Sequence, residues 1–223
     1  METLKTFRHE YKYVIPYGDM LKIRSKLDEI LTLDRGGPYF VRSIYFDSPD
    51  DEDYYDKQGG EMIRKKLRLR IYDINNDYAK LEIKNKYDYH QLKESLVINK
   101  TTAKNIINGD YHELLLMDND LAKRIYVLLQ SGYRPKVIIE YDRAAYITST
   151  TTRITFDYHI KKSLDFEKFY TNDINYIEVT KPNEVVLEVK FDRFLEPYVS
   201  KILEKYTSRY QSVSKYVMGR NEY

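Results

Sequence analysis

No cysteine occurs among the 223 residues, which excludes disulfides and cysteine-ligated metals. Tryptophan is also absent. No run approaches 18 consecutive apolar residues, so nothing reads as a membrane span. Residues 1–13, METLKTFRHEYKY, lack the apolar core of a secretory signal. These absences set the expectation of a soluble, cytoplasmic protein. An excess of one charge is missing too: 37 Lys and Arg stand against 35 Asp and Glu, a net charge of +2. A bulk polyelectrolyte binder would be more lopsided, so nucleic acid is not an expected partner. There is no GxxxxGK[S/T] phosphate loop, no GxGxxG turn, no HExxH, no GxSxG elbow and no kinase signature. His9, His90, His112 and His159 show no ligand spacing and read as ordinary polar residues.

What is present supports a packed core. Hydrophobic residues make up 42% and charged residues 32%, outside the disordered regime. The length fits one domain, residues 1–223, with two as the alternative. Tyrosine, at 24 residues, favours strands and offers hydroxyls to polar ligands.

The most informative stretch is 64–86, RKKLRLRIYDINNDYAKLEIKNK. Leu67, Leu69 and Ile71 alternate with Lys66, Arg68, Arg70 and Tyr72. After the turn chemistry of DINND, Leu81 and Ile83 alternate with Glu82, Lys84 and Lys86. Period two predicts a hairpin with one aliphatic and one cationic face. Antiparallel sheets are usually wet on one side, so the cations either face water or face inward onto an anion.

Further strands are predicted over 6–15, 39–47, 90–99, 136–147, 153–160 and 184–192, about eight in all. Helices are predicted from Asp19, with Met20, Ile23, Leu27, Ile30 and Leu31 as its stripe. Others start at Thr101–Thr102 and at Asp120, the latter with Leu121, Ile125 and Leu128 inward and Gly132 as its stop; one more lies around 195–206. The acidic segment 48–60 lacks the spaced ligands of a calcium loop and reads as a solvated loop, with one helical turn as the alternative, closed by Gly59-Gly60.

The charge pattern repeats along the chain: Arg8-Glu10-Lys12, Lys66-Arg68-Arg70, Glu82-Lys84-Lys86, Lys93, Arg143, Arg153 and Glu188-Lys190. Eight such strands closing into a barrel could turn the charged faces inward and the aliphatic faces onto helices. Unpaired like charges in a dry interior are prohibitive, so such an interior would hold water and an anion. A triphosphate suits Arg forks and Lys point charges. The isolated Glu residues then suit a hard divalent metal.

RHEYKY (8–13), RSIYFDS (42–48), KLRLRIY (66–72), LEIKNK (81–86), EYDRAAY (140–146), RITFD (153–157), LEVKFD (187–192) and SKY (214–216) resemble, in this order, the catalytic domain of the vacuolar transporter chaperone (VTC) complex. That domain belongs to the triphosphate tunnel metalloenzymes, or CYTH-like proteins. The resemblance covers almost the whole chain. It implies an α+β fold: an eight-stranded antiparallel β-barrel with inserted and flanking helices. It also implies a polymerase that builds inorganic polyphosphate from the γ-phosphate of ATP with Mn2+ or Mg2+. Carried over, Lys12, Arg68, Arg70, Lys84, Arg143 and Arg153 would be catalytic, and Lys93, Lys190 and Lys215 would hold substrate, joined by Lys66, Lys86 and Arg8. Glu188 would be the metal ligand, with Glu10 and Glu82 as further candidates. Arg143 shares a strand face with Ile139 and Tyr141, so its inward placement comes from the resemblance alone.

Two departures bear on function. The hydrolase branch opens with ExExK, and Arg8 stands at its first Glu position. This favours the polymerase over a triphosphatase or a non-catalytic polyphosphate-binding module. The inositol-phosphate sensor and membrane helices of eukaryotic VTC proteins do not accompany these residues. A separately encoded membrane partner would have to supply any coupling to transport.

Overall fold

The computed structural model describes residues 9–88, 90–148, 152–207 and 209–221. Among the described residues nine strands form: β1 (His9–Pro16), β2 (Tyr39–Asp47), β3 (Ile63–Ile71), β4 (Tyr78–Tyr87), β5 (His90–Asn99), β6 (Arg134–Ile147), β7 (Arg153–Ser163), β8 (Ile177–Glu178) and β9 (Glu184–Phe191). Seven α-helices accompany them among the described residues: α1 (Tyr17–Asp28), α2 (Glu52–Gly59), α3 (Lys100–Ile107), α4 (His112–Leu116), α5 (Asp120–Gln130), α6 (Pro197–Leu203) and α7 (Lys215–Arg220). The hydrogen-bonded order is β1-β9-β7-β6-β2-β3-β4-β5, with the two-residue β8 added to β7. The fold is thus α+β on an antiparallel sheet. Hydrogen bonds among the described residues do not close it into a ring. None of the described helices is long and apolar enough to cross a membrane.

Two compact units divide the chain. The described residues of the first fall within Met1–Phe40, Tyr141–Ile160 and Glu178–Ser214; those of the second fall within Val41–Glu140, Lys161–Ile177 and Lys215–Tyr223. In the first, Ile15, Ile154, Phe156, Val185, Leu187 and Val189 pack with Met20, Ile23 and Leu27 of α1 and Val199 and Leu203 of α6. Those strand residues are alternate ones, so one sheet face meets the helices and the other carries charge. In the second, Leu67, Leu69, Ile71, Leu81 and Ile83 are buried as the alternation predicts. Ala103 and Ile106 of α3, and Ala122, Ile125 and Leu129 of α5, are buried with them. The α5 stripe therefore lies one position on from the predicted Leu121 and Leu128.

Other differences are at helix starts. Asp19 does not cap α1; Pro16 stands at the cap, and Asp19 pairs with Lys22 at 2.9 Å. Asn99 caps α3 by accepting from the Thr102 amide at 2.8 Å, and Asn119 caps α5 through the Ala122 amide at 3.1 Å. In each case an Asn lies just upstream of the Thr or Asp that the sequence pattern favours, and its short amide reaches the free N–H groups.

The predicted acidic loop is instead α2, held from outside its own sequence. Asp47, at the end of β2, accepts from the amides of Ser48 (2.8 Å), Asp53 (3.0 Å) and Tyr54 (3.0 Å), and from the Tyr216 hydroxyl of α7. Gly219 lets α7 lie close to β6, since a Cβ there would fall 2.2 Å from Ile139 Cδ1.

Asp53 is fully buried. Tyr133 donates to its Oδ1 at 3.0 Å, and Lys65 Nζ lies 3.5 Å away. Burial, and then the charge of Asp47, push its carboxyl up to about 7 against the opposing pull of Lys65 and Tyr133. The folded chain therefore keeps this proton while the unfolded chain loses it near pH 4. Its contribution to stability falls as pH rises from about 4 to about 7 and is flat above. We expect Asp53→Asn to flatten the melting-temperature profile in that window; an unchanged profile would refute the assignment.

Candidate phosphate-binding clusters

In the first unit, the face of β1 and β9 turned away from the core carries charge. Glu10 lies opposite Lys190, and Lys12 opposite Glu188. Lys12 Nζ is 2.9 Å from Glu10 and 3.5 Å from Glu188; Lys190 Nζ is 3.6 Å and 3.2 Å from the same two carboxylates. Two Glu and two Lys thus form a closed square of ion pairs. Burial alone would lower the Lys12 pKa, but Glu188 and Glu10 together raise it, so the ammonium stays charged.

Strand β7 continues this face. Arg153 lies opposite Lys190 and Thr155 opposite Glu188. Arg153 is held by Asp34 at 2.7 Å and the Tyr39 hydroxyl at 3.1 Å. Arg143 makes two bonds to the fully buried Asp157, at 2.6 and 2.7 Å. This pairing was not expected from the sequence, although Asp157 stands in RITFD two positions from Thr155. Arg143 Nε and one terminal nitrogen are thus committed to Asp157.

The second unit carries its own cluster, on the cationic face of the β3–β4 hairpin. Glu82 lies between Arg68 and Ser95 in the ladder, and Lys84 between Lys66 and Lys93. Arg68 Nε donates to Glu82 at 2.7 Å, Arg70 Nη1 is 4.0 Å away, and Lys93 Nζ contacts the other carboxylate oxygen. Burial would raise the Glu82 carboxyl, but Arg68, Arg70 and Lys93 hold it at about 2. Arg70 Nε also donates to Ser43 at 2.9 Å. Lys66 Nζ sits 6.0 Å from the centre of the Tyr216 ring. Lys86, between Arg64 and Gln91 in the ladder, is half-buried. Lys215 opens α7. Arg8 lies outside the described residues.

One carboxylate does not neutralise this second cluster. Tyr45 is buried at 5% exposure, and burial pushes its hydroxyl pKa up; Arg68, Arg70 and Lys215 more than reverse that and lower it. Tyr72 behaves alike, with burial opposed chiefly by Arg70. A field that favours a phenolate in a buried site favours other anions there too. Neither tyrosine was singled out in the sequence. Tyr45 does face Arg68 across the β2–β3 ladder, a pairing that sequence alone does not reveal.

Among the described residues there is no group of three or more His, Cys, Asp or Glu arranged to hold a metal ion. Glu10 and Glu188 do converge on the same two ammonium groups. Both are hard oxygen donors of the kind a divalent cation takes, and both are already engaged by Lys12 and Lys190. Glu82 belongs to the second unit, where it is tied to Arg68 and Lys93.

Solved structures share this fold. A candidate adenylate cyclase from Bacillus halodurans matches with 14% identity over 89% of this chain and 88% of its own, at a TM-score of 0.52. A candidate adenylyl cyclase from Hippeastrum, described as having a dominant triphosphatase activity, matches with 14% identity over 95% of this chain and 94% of its own, at 0.56. At such identities the likeness is one of fold. No curated protein matches the sequence. The VTC domain model matches residues 7–222, and with nearly every residue covered the chain belongs to the VTC domain family.

Proposed function

We propose that this VTC domain is a polyphosphate polymerase. A terminal phosphate oxygen of the growing chain attacks the γ-phosphorus of ATP. The bond from that phosphorus to the β-phosphate oxygen breaks, ADP leaves, and the chain is one phosphate longer. No side-chain nucleophile is needed, because positioning and charge neutralisation supply most of the catalysis of phosphoryl transfer. The observation that carries this reading is the arrangement of the β3–β4–β5 ladder, where Arg68, Arg70 and Lys93 surround the Glu82 carboxylate and Lys84 lies between Lys66 and Lys93.

Arg68 and Arg70 would hold equatorial phosphate oxygens, with Lys84, Lys93, Lys66, Lys86 and Lys215 as point charges along the chain. Lys12, Lys190 and Arg153 would do the same in the first unit. A divalent cation, Mn2+ or Mg2+, held by Glu10 and Glu188 would neutralise charge on the phosphate oxygens. Arg143, committed largely to Asp157, would contribute through its field.

A triphosphatase on the same fold is the second reading, with water as the attacking group. The activity described for the Hippeastrum neighbour favours it; Arg8 in place of a first glutamate favours the polymerase. The deciding experiment incubates the pure protein with ATP and Mn2+. Polymer that an exopolyphosphatase degrades is the expected product. Tripolyphosphate hydrolysis outpacing polymer formation would establish the triphosphatase, and binding of polyphosphate without turnover would leave only a binding module.

A further inference from the structure

Thr155 sits in the middle of β7 between Ile154 and Phe156, which both belong to the core cluster. Its side chain therefore points the other way, onto the charged face. It lies directly opposite Glu188, which in turn lies opposite Lys12. Opposed residues on neighbouring strands share one face, with Cβ atoms roughly 4.5–5.5 Å apart. Lys12, Glu188 and Thr155 thus form one row across three strands, beside the row of Glu10, Lys190 and Arg153. Thr155 is only 3% exposed, yet its Oγ1 is buried with no hydrogen-bond partner. Buried hydroxyls are almost always paired, so one left over requires an explanation.

The composition of the row supplies one. Lys12, Lys190 and Arg153 draw an anion to this face, and phosphate oxygens accept hydrogen bonds without donating any. A hydroxyl adds a neutral donor that rotates onto its acceptor, where the ammonium groups add charge. We infer that Thr155 is a further substrate-contacting residue, whose hydroxyl donates a hydrogen bond to a non-bridging oxygen of the phosphate chain held by Lys12 and Lys190. This rests on the phosphate-binding reading above and adds a contact to it.

The test uses the whole chain with tripolyphosphate and EDTA, so that neither metal nor turnover enters. Affinity is measured by calorimetry, and melting temperature with and without ligand. Thr155→Val keeps the shape and removes the hydroxyl. It is expected to bind tripolyphosphate about tenfold more weakly. The ligand-free protein is expected to melt no lower than wild type, because no internal hydrogen bond is lost. Thr155→Ser keeps the hydroxyl and is expected to bind within about twofold of wild type. A valine variant that binds like wild type, or a serine variant that fails as valine does, would overturn the inference. So would a valine variant whose ligand-free melting point falls, since the hydroxyl would then have a partner inside the fold. A wild-type protein that does not bind tripolyphosphate would overturn the phosphate-binding reading itself, which separates the two failures.

Discussion

Glu188→Gln is expected to lower divalent-metal-dependent phosphoryl transfer from ATP by at least about 100-fold, roughly 2.7 kcal/mol of barrier. The variant should stay folded and still bind polyphosphate. Both halves follow from the square of ion pairs. Lys12 and Lys190 each retain Glu10, at 2.9 and 3.6 Å, so no buried ammonium is stranded. The wall of cations is intact and carries one less competing negative charge. What disappears is one of two carboxylates able to ligate a hard cation, since an amide oxygen is a weaker donor without charge. The measurement pairs a polyphosphate-binding isotherm with turnover in a Mn2+ titration. Near-normal turnover in the variant would remove Glu188 from the metal site and leave the fold untouched. Arg70→Ala makes the contrast, since it should weaken binding and turnover together.

Arg143→Ala is expected to act on stability before it acts on chemistry. It removes from Asp157, which has no exposed surface, the two guanidinium bonds that this carboxylate accepts. Removing one partner of a buried pair costs on the order of 3–5 kcal/mol, because the remaining charge stays desolvated with less to compensate it. Thermal or urea denaturation of the single variant should show a loss of that size, and polyphosphate affinity of the folded fraction should fall far less. The double variant Arg143→Ala/Asp157→Ala should recover part of the stability, which a double-mutant cycle reads directly. If the single variant were as stable as wild type and only binding fell, Arg143 would be a phosphate ligand first and a structural partner second.

These two residues mark how far the sequence could be read. Glu188 was legible because period-two alternation in EVVLEVKF separates Glu188 and Lys190 from Val185, Leu187 and Val189. The same rule located the β3–β4 hairpin and β5 almost to the residue. Arg143 was not legible in this way. Strand β6 is buried on both sides along Val137–Tyr141 and again at Ala144–Tyr146, so alternation gives no face to read, and the partner Asp157 is a contact across strands. The acidic segment misled for a similar reason. Its helix is capped by Asp47 of the preceding strand and secured by Tyr216, 169 positions further on. Local propensity cannot see a cap delivered from outside the segment. The unpartnered Thr155 and the tuned Tyr45 likewise emerge only when ladder register is known.

The closed square of Glu10, Lys12, Glu188 and Lys190, and the hold of Arg68 and Lys93 on Glu82, have a consequence for binding thermodynamics. In the free protein these cations already carry their counterions as side chains of the same polypeptide. An incoming phosphate takes ammonium and guanidinium groups over from carboxylates that stay in place, and comparatively few salt ions are released to the solvent. Linkage between affinity and ionic strength counts only the ions that leave. Affinity for a phosphate chain should therefore decline with added salt much less steeply than the number of Lys and Arg around it suggests.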